Sequence, residues 1–243
     1  MPEQLWFTAF LNHHFAGLAT ALMRLVHVEP QFPQAPISNA VAMEVLVFLF
    51  LVLVFIAVRM SLSVEKPGGL QHIFEGVHGF IQGQSTEIIG HHSERFTPFL
   101  VTLTLFILIS NLLGLIPGFE SPTGVPVVPL GCAILAFIYY QAQGFRKNGI
   151  GYIKHFFGPM WWLSPLMLPL EIISHLARIL SLTARLYANM FAGDMVTWVW
   201  FSLVPIGIPI IFLGLHTFVA FLQAYIFVLL TMAYLSGAVA EEH

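Results

Sequence analysis

LPLEIISHLARILSLTARLYANMFAGDMVTWVW, residues 168–200, is apolar enough for a membrane yet carries Glu171, Arg178, Arg185 and Asp194. About 20 apolar residues suffice to cross roughly 30 Å of hydrocarbon. This stretch, at about 1.5 Å per residue, makes about 50 Å of helix. It must tilt heavily, break, or project from the bilayer. Each Arg or Asp at a helix centre costs about 2.5–3.5 kcal/mol on the insertion scale, so the direction these groups face decides what the segment is for. At about 100° per residue, Glu171, Ser174, Arg178, Ser181, Arg185 and Asn189 fall within about 40° of one line. They form one polar stripe about 27 Å long. Asp194 lies half a turn away and addresses a different neighbour, while Ala188, Ala192 and Gly193 permit close helix contact.

Arg178 lies two turns from Glu171, so the two can form a structural pair or line a shared path; both readings stay open. Arg185 is different. No acidic residue sits three or four positions from it, and the other spans supply only Glu44. An arginine that deep implies a carboxylate on another subunit or a water-filled cavity.

The composition supports a membrane setting throughout. Of 243 residues, 58% are hydrophobic and 9% charged, and the mean hydropathy is +0.85. A soluble domain carries about a quarter charged residues. The single cysteine, Cys132, excludes an internal disulfide framework, and no basic patch of the kind that binds nucleic acid is present. MPEQLWFTAF opens with Glu3 rather than a basic stretch, and no small-residue cleavage site follows, so no removable targeting segment is expected.

Outward from the first stretch, spans are expected at 43–60, 96–116 and 125–145, followed by 168–200 and 208–237. Residues 5–26 read as an amphipathic helix at one interface. Residues 69–91 place Leu70, Ile73, Phe74, Val77, Phe80, Ile81 and Ile88 at helical spacing, as in a helix lying along the surface. The expected fold is all-α: about five membrane-embedded helices plus an interfacial amphipathic helix, the last two spans forming a long tilted hairpin in one membrane domain, with 1–42 as an outer-side N-terminal segment. Arg59, Lys66, Arg95, Arg146, Lys147 and Lys154 fall on one side, and Glu120 lies in a loop without basic residues. The positive-inside rule puts the N-terminus outside and the C-terminus in the cytoplasm. Trp161 and Trp162, and at the other end Trp198 and Trp200, stand as interfacial anchors.

In the last segment, IPIIFLGLHTFVAFLQAYIFVLLTMAYLSG, residues 208–237, His216, Gln223 and Tyr234 share one face. Histidine is the side chain most easily poised near neutral pH, and glutamine both donates and accepts hydrogen bonds. Beside Asp194 they suggest a proton wire.

SLTARLYANMFAGD (181–194) resembles the signature of subunit a of the F-type ATP synthase, bacterial type. FLQAYIFVLLTMAYLSGAVAEEH (221–243) is similar to that family's C-terminus, and NLLGLIP (111–117) to its second-span ending. The resemblance covers about 40–243. It implies a stationary, non-catalytic proton-channel subunit in a bacterial inner membrane, beside a rotating ring of c subunits. Peripheral-stalk b subunits, the remaining ATP synthase subunits and membrane lipid are the other partners implied; no cofactor, metal or nucleic acid is. It places Arg185 opposite the ring carboxylate, Asn189, Asp194, His216 and Gln223 in an outer half-channel, and Glu171 in an inner one. Glu44 corresponds to an acidic residue near the start of the family's first span. Two positions depart from the family: Asp194 stands where glutamate is common, and Ile179 where proline often follows the residue matching Arg178. SPTGVPVVPLG lacks the family's usual polar pattern, and nothing carries over there.

The mechanism implied has two offset half-channels. A proton from outside passes Glu44, Asp194, His216 and Gln223 and neutralises a ring carboxylate, which then rotates through lipid. After nearly a full turn it is released near Glu171, Ser174 and His175. Arg185 favours the ionised carboxylate, since an opposite charge within about 4–6 Å lowers its pKa by about 1–3 units, and its fixed charge blocks direct hopping between half-channels. A secondary transporter would need repeated halves, and 1–120 shows no likeness to 121–243. An intramembrane hydrolase would need a motif such as HExxH or GxSxG, and neither occurs. His13-His14 and His91-His92 lack acidic or cysteine partners at ligand spacing.

Overall fold

The structure, a computed structural model, describes residues 5–25, 35–63, 68–90, 93–116, 118–149, 164–204 and 207–239. Its helices are α1 (Trp6–Leu25), α2 (Asn39–Ser61), α3 (Gly69–Ile89), α4 (Thr97–Leu113), α5 (Val127–Asn148), α6 (Ser164–Leu203) and α7 (Ile208–Val239), with short 3-10 turns at Ser93–Arg95 and Pro122–Gly124. Four of them, α2, α5, α6 and α7, are long and apolar enough to cross a membrane, and α4 is a shorter apolar helix. This is the all-α membrane fold with a long helical hairpin.

Local chemistry sets the ends. Ser38 caps α2, its hydroxyl accepting from the Val41 amide at 3.4 Å. Proline at the second position suits the start of α4. The helix stops after Leu113, earlier than the expected 116, because the chain folds back: a Cβ on Gly114 would lie 2.5 Å from the Ser121 side chain. Gly90 and Gly149, at φ 87° and 55°, end α3 and α5 in conformations that favour glycine. The sixth helix starts at Ser164 rather than 168, since Pro165 fits a first turn; Pro169 lies inside it, where the Pro165 carbonyl loses its usual i+4 donor. At 40 residues it is about 60 Å long, and α7 at 32 residues about 48 Å.

Two sets of contacts define the ends of the bundle. The Asn39 amide donates to Glu120 Oε1 at 3.0 Å, and the Leu5 amide to Asn39 Oδ1 at 3.3 Å. At the other end Arg95 donates to Gln143 Oε1 at 3.3 Å, Asn148 to the Ala238 carbonyl at 3.3 Å and Ser236 to the Ile88 carbonyl at 2.8 Å. Arg59, Arg146 and Lys147 sit in the last turns of α2 and α5, so the described basic residues that follow or precede the spans gather at that second end. Lys66, Lys154, Trp161, Trp162 and His91-His92 lie outside the described residues.

The centre is α7, which packs on α3, α4, α5 and α6. Ala220, Ala224, Phe227, Met232 and Leu235 meet Leu100 and Ile107 of α4, Ala136 and Tyr140 of α5, and Leu182, Leu186 and Met190 of α6, all 4% exposed or less. Its best apolar window is 44% buried, against 11% for α6. So much uncovered apolar surface is left to lipid or to another subunit. The row Leu182, Leu186, Met190 faces inward, and the polar stripe runs along the flank of that contact, where Glu171, Ser174, Arg178 and Arg185 are half-buried. Beside it Ala177, Ser181, Ala184, Ala188 and Ala192 are exposed. The third helix turns Ile81, Ser85 and Gln71 inward and leaves Leu70, Ile73 and Phe80 exposed, as an amphipathic helix beside the bundle would.

Candidate functional site

Apart from Glu44, the sequence-predicted residues fall into two polar clusters on either side of Arg185. The first lies where α6 crosses α7. Gly193 makes the crossing possible: a Cβ there would meet the His216 ring at 2.5 Å. Next along α6, Asp194 places Oδ1 3.8 Å from His216 Nδ1. Asn189 donates from Nδ2 to Gln223 Oε1 at 2.7 Å, joining the helices again two turns along α7. Asp194, His216, Asn189 and Gln223 are thus brought together. His216 and Gln223 are buried, at 4% and 1% exposure, yet His216 Nε2 and Gln223 Nε2 have no hydrogen-bond partner among the described residues. Buried polar atoms normally find one. Asn189, Gly193, Thr197 and His216 line a cavity of about 260 Å³, large enough for several waters. The rest of its wall is apolar, with Ala192, Val196, Phe212, Leu215 and Val219, so the polar groups stand at one side of a largely apolar groove.

A buried network that the sequence reading missed holds this cluster from behind. Thr123 donates to Asn111 Oδ1 at 2.7 Å, and Asn111 donates to the Ala220 carbonyl at 3.1 Å, one turn from His216. Ser121 reaches the Ser110 carbonyl at 3.2 Å and Thr123 Oγ1 at 2.8 Å. Gly124, next in the turn, comes so close to Asp194 that a Cβ would lie 3.2 Å from Oδ2. The signal available beforehand was one asparagine, Asn111, inside an otherwise apolar span.

The second cluster lies at the basic end. Glu171 Oε1 is 3.3 Å from His175 Nε2. Arg178 is the residue whose role was open, and it stacks its guanidinium on Tyr234, 5.1 Å from the ring centroid, a cation–π contact. Glu171 is engaged with His175 instead, so the arginine holds α6 to α7 through an aromatic ring. Ser174, half-buried, lies on the same flank.

Arg185 stands between the clusters, half-buried and without an ion pair or hydrogen bond among the described residues. Along the axis it is about 13 Å from Asp194 and about 21 Å from Glu171. Glu44 is not brought into the first cluster. It lines a separate cavity of about 500 Å³ between α2, α4 and α5, with Thr102 and Cys132 among the lining residues, because α2 packs on α1, α4 and the Pro122–Gly124 turn. His13 and His14 are exposed, with ring centroids 4.8 Å apart, and no metal-binding group of histidines, cysteines and carboxylates occurs among the described residues.

The arrangement is one of hydrogen-bonding side chains at two depths, separated by a fixed positive charge. Comparison with known proteins gives the family. The sequence profile described as ATP synthase A chain matches residues 40–236. The chain is 60% identical to "ATP synthase subunit a" of Koribacter versatilis (strain Ellin345), over all of both chains. It is 52% identical to the protein of that name from Solibacter usitatus (strain Ellin6076), over 96% of this chain and 99% of the relative. It is 39% identical to that of Trichlorobacter lovleyi, over 93% and 96%. A match of this extent leaves one assignment: the chain belongs to the ATP synthase subunit a family.

Proposed function

We propose that this chain is the stationary, non-catalytic proton-channel subunit of a bacterial F-type ATP synthase, delivering protons to a rotating ring of c subunits and removing them through two separate half-channels. The observation that supports this most is Arg185. It is half-buried, unpaired within the described chain, and flanked by the exposed small residues Ala184 and Ala188, which let a partner helix approach closely. A buried charge is stable only with a partner or water. A carboxylate on an adjacent ring supplies one.

Asp194, His216, Asn189 and Gln223 form the outer half-channel, and Glu171, Ser174 and His175 the inner one. Glu44 lies toward the same end as Asp194 but in its own cavity, and the relay proposed here runs through Asp194 and His216 without it. With the basic ends of α2 and α5 in the cytoplasm, Asp194 faces the outside of the inner membrane and Glu171 the inside. Potential acts on each proton by about 2.3 kcal/mol per 100 mV, and this drives rotation. The b subunits of the peripheral stalk hold the chain still against the ring.

Two substitutions test the outer relay. Asp194→Leu and His216→Leu are each expected to slow proton-driven ATP synthesis while leaving the complex assembled. Their double variant is expected to lose much less than the sum of the two logarithmic losses, as for groups that share one path. Strictly additive losses would show that they do not act in sequence.

A further inference from the structure

The junction of α5, α6 and α7 holds a second buried group that the proton path above does not use. Tyr140, on α5, is 2% exposed, and its hydroxyl lies 3.4 Å from His175 Nδ1. On the other side of that ring, Nε2 is 3.3 Å from Glu171 Oε1, and the Gln141 side-chain amide lies 3.5 Å away. Exposure rises outward along this row, from Tyr140 to the His175 side chain at 10% and the Glu171 side chain at 35%. Among the described residues, the other charged and titratable groups nearby are Arg178 on α6 and Tyr234 on α7, whose ring lies 6.0 Å from that of Tyr140.

When Glu171 is ionised it only accepts hydrogen bonds, and the nitrogen facing it then carries the hydrogen. A neutral imidazole has one donor and one acceptor nitrogen. With Nε2 donating, Nδ1 accepts, and the Tyr140 hydroxyl is the donor beside it. The hydrogen bond at one ring nitrogen decides which tautomer the other presents. Amide oxygen and nitrogen exchange by a flip, so Gln141 presents its oxygen to the same Nε2–H.

We propose that Tyr140 is a positioning residue of the inner half-channel: its hydroxyl holds His175 in the tautomer that aims Nε2–H at Glu171. This rests on the reading of Glu171 and His175 as the inner path. Tyr140 touches no proton in transit. It sets the direction in which the imidazole can give one up.

The test uses the complete complex in lipid, labelled with 15N-histidine, and the variant Tyr140→Phe, which keeps the buried ring and removes only the hydroxyl. Solid-state NMR identifies the His175 signals by their loss in His175→Gln. The native protein is expected to show His175 protonated on Nε2, and Tyr140→Phe to shift the population toward Nδ1 protonation. Proton-driven ATP synthesis is expected to fall about tenfold, the low end of what hydrogen-bond partners of metal-bound histidines are worth. In the His175→Gln background, Tyr140→Phe costs nothing further. Native His175 protonated on Nδ1, or a Tyr140→Phe complex with native tautomer and native rate, overturns the inference. An unimpaired His175→Gln overturns the inner-path reading beneath it, whereas an impaired His175→Gln with an unimpaired Tyr140→Phe overturns the role of Tyr140 alone.

Discussion

Arg185→Ala is expected to abolish ATP-driven proton pumping while the complex still assembles. The side chain has no partner within the described chain, so its removal breaks no internal bond, and it relieves an insertion cost of about 2.5–3.5 kcal/mol. What is lost is the counter-charge for the ring carboxylate. An opposite charge within about 4–6 Å lowers a carboxyl pKa by about 1–3 units, or about 1.4–4 kcal/mol of preference for the ionised form. Without it, a protonated ring site passes the subunit without releasing its proton, and the barrier between half-channels falls. Inverted vesicles carrying the variant should fail to acidify on addition of ATP, and their passive proton leak should rise. Lysine should rescue only in part, because a buried ammonium can deprotonate and lacks the planar guanidinium. Acidification at the native rate by the alanine variant would contradict the role of Arg185.

Gly193→Ala should have the next largest effect, for a steric reason. Three atoms of the His216 ring lie 2.5–2.8 Å from where the new methyl must go. His216 is 4% exposed and borders the cavity beside Gly193, so either the ring turns into that cavity and leaves Asp194 or the helices part. Overpacking of this kind costs about 1–3 kcal/mol, and if that cost falls on the transport barrier, at about 1.4 kcal/mol per decade, transport should fall by about fivefold to a hundredfold. Adding His216→Ala to the same chain should relieve the clash and restore assembly without restoring flux. Measurement of subunit level beside proton uptake separates the two effects. A Gly193→Ala complex with native uptake would mean that the crossing is looser than the structure has it.

Much of this was legible in the residues themselves. Hydropathy alone located the long spans, because a helix in lipid must satisfy its backbone internally and must be apolar for a known length. The alignment of Glu171 with Arg185 and Asn189 followed from helix geometry, and so did the separate direction of Asp194. What could not be read was which side chain meets which across helices. Arg178 had Glu171 two turns away in its own helix, but a tyrosine from α7 covers it. Tyr140 and Gln141 appeared as ordinary members of an apolar span until packing brought them to His175. Asn111 and Thr123 are separated by a fold-back whose path depends on Gly114 meeting Ser121. Glu44 shares chemistry with Asp194, but the seat of α2 puts it in another cavity. Such pairings depend on helix rotation and register, which local periodicity leaves free.

The direction in which the polar flank of α6 faces is the centre of the account, and disulfide cross-linking measures it most directly. Single cysteines at Ser174 and Ser181 lie on the flank with Arg185, while Ile172 and Leu176, 48% and 55% exposed, lie on the far side of the helix. In the assembled complex, with a cysteine walked along the facing helix of the c subunit, Ser174→Cys and Ser181→Cys are expected to cross-link to the ring. Ile172→Cys and Leu176→Cys are expected not to. Equal cross-linking from both sides, or none from the flank that carries Arg185, would contradict the account, since Arg185 would then face something other than the ring.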